Sequence, residues 1–294
     1  TARSVATAAD GSVYVLADLS GDSASSAIKG ARDVALIKYD SAGKMMFSEM
    51  LGAAQSASGF TLAVSTDGKV AVAGSIEGAL GGTQAKGGAD SFVSLFDSNG
   101  KELWTARRGA SAADEALAIA FAPDNSVIVA GRTESAMSGQ LSAGGDDAYI
   151  RVYSASGLET FTRQFGTAGA DTATALLVRS TGAGSFEILT GGVESERGIV
   201  RSFTYTAGAG LSTGATRDIG YFQKGAINAL ALDGVALYVG GEIGADRLSL
   251  GAPTRIAVAG QEGFVARISL NLASTALDRA TYMGSAQDDA VKSI

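Results

Sequence analysis

At 294 residues, with a net charge of −7, 46% apolar residues and 40 glycines against two prolines, the chain can bury a core and is not composed like a disordered one. It has no cysteine and no histidine, which excludes disulfides, thiolate and imidazole metal sites, and any Ser-His or Cys-His nucleophile. The acidic balance disfavours nucleic acid and anionic membrane as partners, and no apolar run approaches the roughly 20 residues of a membrane span.

The chain opens with a small apolar segment, RSVATAADG (3–11), followed at once by SVYVLAD (12–18). A long polar stretch leads to DVALIKYD (33–40) and then GKMMFSEMLG (43–52). These four segments, A to D, then return. Segment A recurs as FTLAVSTDG (60–68), LAIAFAPDN (117–125) and INALALDG (227–234), and segment B as KVAVAGS (69–75), SVIVAGR (126–132), FEILTGG (186–192) and ALYVGGE (236–242). Segment C recurs as DSFVSLFD (90–97), DAYIRVYS (147–154), IVRSFTYT (199–206) and GFVARISL (263–270). Segment D recurs as GKELWTARRG (100–109), GLETFTRQFG (157–166), the loose copy TRDIGYF (216–222), and LDRATYMGS (277–285). The first three copies of segment C are spaced by 57 residues. A repeat of this length marks an array of like supersecondary units.

Each segment holds five to nine residues rich in β-branched and aromatic types, bounded by Gly, Asp, Asn and Ser, which are strand signals. Asp10-Gly11 and Asp67-Gly68 suit tight A–B hairpins, and Gly43, Gly100 and Gly157 stand where a C–D turn needs glycine. Each unit therefore reads as a four-stranded antiparallel meander. Segment B is apolar on both faces: Val70 to Ala73 and Val127 to Ala130 do not alternate with polar residues. Both faces of each sheet must then be covered by neighbouring sheets. The charges of segment D (Arg107, Arg108, Arg163) suit an edge strand, and the small residues of segment A suit crowded inner strands. The expected fold is an all-β propeller of four-stranded blades. Five complete repeats are visible (approximately 2–56, 57–113, 114–169, 170–224, 225–286), and residues 287–294 form the first strand of a sixth. The opening residues are no signal peptide but already part of the repeat. The expectation is a piece of a longer chain whose further blades complete a ring of six to eight.

The stretches GGADSFVSLFDSNG (87–100), RRGASAADEALAIAFAPDNSVIVAGRT (107–133) and TYMGSAQDDAVKSI (281–294) resemble the bacterial SBBP-type β-propeller repeat. The resemblance covers nearly the whole chain, most weakly residues 172–222. It implies the fold and a habitat in long bacterial surface or secreted proteins, and some related chains carry a flagellar-regulator label. It implies no reaction, because fold does not fix function.

Loop lengths break the symmetry of a blade. A–B and C–D turns take two to four residues, whereas the B–C connections 19–32, 76–89, 133–146 and 243–262 are long. B–C and D–A loops emerge on one side of a meander, so that side is the expected working face. Its longest loop carries Arg247 and Arg255 as binding candidates. Asp33, Asp90 and Asp147 open segment C, and Asp114, Asp171, Asp288 and Asp289 precede segment A. These carboxylates would fix turns by accepting backbone N–H groups. The other readings are oxygen-ligand calcium sites, the one cofactor the sequence admits, or catalytic carboxylate pairs. DSNGKELW (97–104) looks like the tryptophan motif of quinone-dependent propeller dehydrogenases, but Trp104 is the single Trp, so an aromatic packed between blades is expected. AGAGLSTGATRD (207–218) lacks a phosphate-loop ending and reads as a flexible C–D connection.

The function expected is that of a non-enzymatic scaffold or binding module for protein or glycan, extracellular or on a bacterial cell surface. The alternatives are a secreted carbohydrate-active enzyme and a structural spacer in a large surface or flagellum-associated assembly.

Overall fold

A computed structural model describes residues 1–22, 27–80, 84–244, 248–251, 254, 260–285 and 287–294. These residues contain no helix and form five four-stranded antiparallel sheets, each a meander in chain order. Blade 1 comprises β1 (Ala2–Thr7), β2 (Val13–Leu19), β3 (Asp33–Tyr39) and β4 (Met45–Leu51). Blade 2 comprises β5 (Ser56–Val64), β6 (Val70–Glu77), β7 (Ala89–Phe96) and β8 (Glu102–Arg108). Blade 3 comprises β9 (Asp114–Phe121), β10 (Val127–Thr133), β11 (Asp147–Tyr153) and β12 (Glu159–Phe165). Blade 4 comprises β13 (Asp171–Gly182), β14 (Ser185–Glu194), β15 (Arg197–Thr206) and β16 (Gly210–Tyr221). Blade 5 comprises β17 (Ala226–Asp233), β18 (Ala236–Ile243), β19 (Glu262–Ser269) and β20 (Arg279–Met283). This is the blade architecture of a β-propeller.

The chain divides into two compact units, Thr1–Ser142 with Tyr149–Gln164, and Ala143–Ala148 with Phe165–Ile294. The first holds blades 1 to 3, apart from the start of β11 and the last residue of β12; the second holds blades 4 and 5. Within the first unit, β5 lies over β1, β2 and β3, and β9 lies over β5, β6 and β7. Within the second, β17 lies over β13 and β14.

Apolar cores fill the spaces between stacked sheets. Tyr14, Leu16, Val34 and Leu36 meet Val70, Val72 and Phe92 between blades 1 and 2. Ala71, Ala73, Val93 and Leu95 meet Val127, Val129, Tyr149 and Tyr153 between blades 2 and 3. Leu189 and Val200 meet Leu237, Val239 and Phe264 between blades 4 and 5. Alternate residues of β6 thus point into two different cores, and Val70, Ala71, Val72 and Ala73 are all fully buried. Strand β2 shows the opposite case: Tyr14 and Leu16 are buried, but Val13, Val15 and Ala17 on its other face are only half-buried.

Close approach selects glycine in segment B. The β9–β10 pairing shifts register at Ala130/Gly131, and a Cβ on Gly131 would stand 1.8 Å from the Glu115 carbonyl oxygen. The aromatic of segment D has its own partner. Trp104 Nε1 donates to the Ala155 carbonyl at 3.1 Å, and its ring lies 5.7 Å from that of Tyr153. A Cβ on Gly157 would fall 2.7 Å from the indole, while Phe47 occupies the same place against Gly100. Trp104 is thus a fastener between blades 2 and 3.

Two expectations are corrected. Of the stretch 207–218, residues 210–218 are not a flexible connection; they extend the expected segment D into β16 (Gly210–Tyr221), paired with β15 from Arg197↔Tyr221 to Thr206↔Gly210. The small Gly, Ser and Thr side chains hide a strand whose ladder is made by the backbone. The C–D connection of blade 5 also exceeds the two to four residues expected, running from 270 to 278.

Truncating one residue in each of two cores checks the stacking, Val72 between blades 1 and 2 and Val129 between blades 2 and 3. Val72→Ala and Val129→Ala should each lower stability by about 1–2.5 kcal/mol in urea unfolding, since both side chains are buried between sheets. A loss near zero would mean that these strands are not packed on both faces.

Candidate functional site

The side bearing the B–C connections is where the blades differ from one another. Blade 4 makes this connection with Ser195 and Glu196 alone, both with positive φ (43° and 63°), as a tight two-residue hairpin requires. The longer connections fold against strand D or the D–A loop. Met137 N–H donates to Gln164 Oε1 at 2.9 Å, and Gln164 N–H to Gln140 Oε1 at 3.0 Å. Leu248 N–H donates to Tyr282 Oη at 2.9 Å, and Ala54 N–H to the Ala79 carbonyl at 3.0 Å. Arg247 and Arg255 lie outside the described residues.

The repeated carboxylates share one geometry. Each acid opening segment C accepts the N–H of the residue four places earlier: Lys29 to Asp33 Oδ2 at 2.7 Å, Lys86 to Asp90 Oδ2 at 3.0 Å, Ala143 to Asp147 Oδ2 at 3.0 Å. The acids at the start of segment A do the same: Ala110 to Asp114 Oδ2, Thr167 to Asp171 Oδ2 and Ser285 to Asp289 Oδ2, each at 2.6 Å. Asp288 departs from the pattern, is exposed, and accepts from Gln261 N–H at 3.0 Å. Asp33, Asp90, Asp114, Asp147 and Asp171 are fully buried. A loop that must turn in the interior has backbone donors to satisfy, and a carboxylate accepts them better than a neutral group.

Glycine at the end of segment D makes room for these acids. A Cβ on Gly109 would stand 2.0 Å from Asp90 Oδ1. One on Gly166 would stand 2.4 Å from Asp171 Oδ2 and 2.9 Å from Asp147 Oδ1, so these two acids lie side by side. Glu262 and Asp289 repeat the arrangement around Gly284. The sequence reading missed Glu262, which takes the place of Asp90 in blade 5, pairing with Ile243 as Asp90 pairs with Ile76.

Charge is compensated unevenly. Asp90 is paired with the buried Arg107, Nε to Oδ2 at 2.6 Å, and the same guanidinium donates to the Gly78 carbonyl in the B–C connection. Burial pushes the Asp114 carboxyl above the ordinary carboxylate value, and the nearby Asp90 charge adds to the rise against the lowering effect of the Ala110 N–H. Burial likewise raises Asp171; the Thr167 bonds oppose this and the Glu194 charge reinforces it.

Each of these acids is bonded to loop backbone. Among the described residues no three acidic side chains converge so as to hold a metal ion. A 290 Å³ cleft in the first unit is lined by Lys29, Met50, Leu80, Glu102, Thr105 and Arg107. A 660 Å³ cleft in the second unit, at the A–B and C–D turns, is lined by Arg179, Glu187, Val235, Leu270 and Asn271. None of the seven repeated Asp residues lines either cleft.

Two measurements follow from the geometry. Asp33→Ala removes a buried acceptor and should cost about 1–3 kcal/mol. Asp90→Ala also strands Arg107 and should cost more, about 3–5 kcal/mol. Urea unfolding should give this order with or without calcium; a loss seen only with calcium present would make the acids metal ligands. For Asp114, whose folded value is raised, the stabilising contribution is complete below the unfolded value of about 4 and is lost as pH rises through the folded value. The advantage of the wild type over Asp114→Asn in thermal melting should therefore be larger near pH 4 than near pH 8. The opposite trend would mean the carboxyl is held ionised.

No protein-family model matches the chain. Regulatory protein FlaEY of Caulobacter vibrioides is 38% identical over 335 residues, covering 98% of this chain and 35% of that protein. The chain therefore spans about a third of that relative's length. Among solved structures, the Pan2 WD40 domain of Neurospora crassa aligns over 99% of this chain and 83% of that one, with 10% identity and a TM-score of 0.43. A thermostable family-43 glycoside hydrolase aligns over 96% and 92%, with 10% identity and a TM-score of 0.47. At these values neither structure bears on function, and the assignment to the propeller class rests on the five meander sheets themselves.

Proposed function

We propose that the chain is a non-enzymatic propeller scaffold and binding module of a bacterial surface or secreted protein, engaging a protein or glycan through the side that carries the long B–C connections. The observation that carries this reading is the burial of the acids that open segment C and start segment A. Asp33, Asp90, Asp114, Asp147 and Asp171 are buried, each accepts a backbone N–H from its own loop, and none lines either cleft, which supports a structural role for them. The B–C connections differ most in length between blades, from two residues in blade 4 to the stretch 244–261 in blade 5. Variable loops on a rigid frame are the usual means of recognition. The name of the Caulobacter relative marks that protein as regulatory, and action by binding rather than by reaction agrees with such a role here.

Replacing residues 244–261 with the Ser-Glu turn of blade 4 tests the reading. The parent chain and the replaced chain would be compared on an array of bacterial surface polysaccharides and in capture of envelope proteins. The replaced chain should keep its melting temperature and bind at least about tenfold more weakly, a loss of about 1.4 kcal/mol. Equal binding by both chains would remove this loop from the site. Release of reducing sugar from any polysaccharide on the array would make the protein an enzyme.

A further inference from the structure

The end of the sheets opposite the B–C connections carries a further cleft of 290 Å³, between blades 1 and 2 and wholly within the first unit. Asp10 from the A–B turn of blade 1 lines it, with Thr66 and Asp67 from the A–B turn of blade 2 and Ser98 from a C–D turn. Tyr14 of β2 and Lys38 of β3 complete the lining.

Tyr14 and Lys38 break the repeat. They stand opposite each other in the β2–β3 ladder, and 57 residues on the same ladder positions hold Ala71 and Leu95. After another 57 residues come Ile128 and Val152, both fully buried. Apolar residues thus serve these positions in blades 2 and 3, and the blade does not need a hydroxyl and an ammonium there. Lys38 has one task in the fold. Trp104 donates to the Ala155 carbonyl between blades 2 and 3, but Phe47, which takes the place of Trp104 between blades 1 and 2, has no N–H to give. Lys38 Nζ donates instead to the Ser98 carbonyl at 2.8 Å, 57 residues before Ala155, and lies 5.2 Å from the centre of the Tyr14 ring. That carbonyl engages one of three N–H groups.

The Tyr14 hydroxyl has no such task. The residue is fully buried, and its Oη meets no hydrogen-bond partner among the described residues. Other buried tyrosines differ: Tyr149 Oη donates to the Glu115 carbonyl at 3.0 Å, and Tyr282 Oη accepts the Leu248 N–H at 2.9 Å. A buried hydroxyl left unmet is costly, and Tyr14 keeps one beside a cleft. The turns supply acceptors. Asp10 accepts the Ser12 N–H at 2.9 Å, and Asp67 accepts from Ser65 and pairs with Lys69. Two carboxylates, Asp10 and Asp67, balance two ammonium groups, Lys38 and Lys69, so the surroundings favour neither sign of ion. Donors and acceptors side by side at a neutral cleft match a ligand whose polar groups both donate and accept, which is the chemistry of hydroxyls.

We propose that this cleft binds a single neutral sugar ring, with Tyr14 Oη and Lys38 Nζ donating to its hydroxyl oxygens and the Asp10 carboxylate accepting from a hydroxyl. The volume, at the low end for small-molecule sites, fits one ring. The site lies away from the B–C connections and stands whether or not those loops bind a partner.

Calorimetric titration of the 294-residue chain tests it. The probes are glucose, galactose, mannose and N-acetylglucosamine, with acetate and methylammonium as charged controls. At least one sugar should bind with a Kd of about 1 mM or tighter, and more tightly than either ion. Tyr14→Phe removes only the hydroxyl, so it should weaken that sugar by at least about fivefold, the worth of a hydrogen bond, without lowering the melting temperature. Equal binding by Tyr14→Phe and the wild type overturns the proposal, as does the absence of sugar binding at roughly ten times that concentration. Tighter binding of acetate or methylammonium would make this an ion site and overturn it equally. Should Tyr14→Phe melt lower, Thr66→Trp, which crowds the cleft from an exposed turn, decides the matter. Sugar binding lost with melting unchanged supports the site, and binding retained contradicts it.

Discussion

Everything in this fold follows from a sheet that is apolar on both faces. A four-stranded meander with one wet face can fold against a single partner. A meander whose strand B reads Val-Ala-Val-Ala cannot, because alternate residues of β6 need separate cores. The chain meets this need by writing the same unit again, so that blade 2 covers blade 1, blade 3 covers blade 2, and blade 5 covers blade 4. Gly131 answers a demand within one blade instead: at the register shift between β9 and β10 the Glu115 carbonyl comes so close that a Cβ has no room.

Stacking creates a second problem at the ends of the sheets. The chain must leave strand D, turn in a crowded place and start the next strand A, while strand B connects to strand C nearby. Backbone donors in such turns have no ladder partners, and leaving them unmet in the interior is costly. The acids at Asp33, Asp90, Asp147, Asp114, Asp171 and Asp289 answer this by accepting the N–H four residues upstream. Recurrence of acids here accompanies a recurring turn, whose backbone N–H each acid accepts. Burying two acids side by side has its own electrostatic cost, which is met by Arg107 in one place and by raised carboxyl values in others.

Much of this was legible in the residues. The spacing of DVALIKYD, DSFVSLFD and DAYIRVYS, the apolar runs of strand B and the turn glycines gave the blades, and the position of the acids marked the junctions. The first part of β16 escaped because AGAGLSTGAT carries almost no side-chain signal, and its pairing is set by β15 rather than by its own propensity. The Ser195-Glu196 turn escaped because neither residue advertises positive φ. Glu262 escaped because it replaces Asp, though its place just before Gly263 and Phe264 could have revealed it. Why glycine ends segment D was not readable at all: only three dimensions put Gly109 against Asp90 and Gly166 against Asp171.

The central claim is that the repeated acids are there to hold the loop backbone. Residue-resolved hydrogen exchange under native conditions reads it directly at the amides of Lys29, Lys86, Ala110, Ala143 and Thr167, which sit in loops and bond to buried carboxylates. They should exchange as slowly as the strand-B amides of Val72 and Val129, which open only with the blades. Exchange at the rate of ordinary surface loops, with strand B still protected, would contradict the claim and return these acids to the list of groups free to bind a ligand.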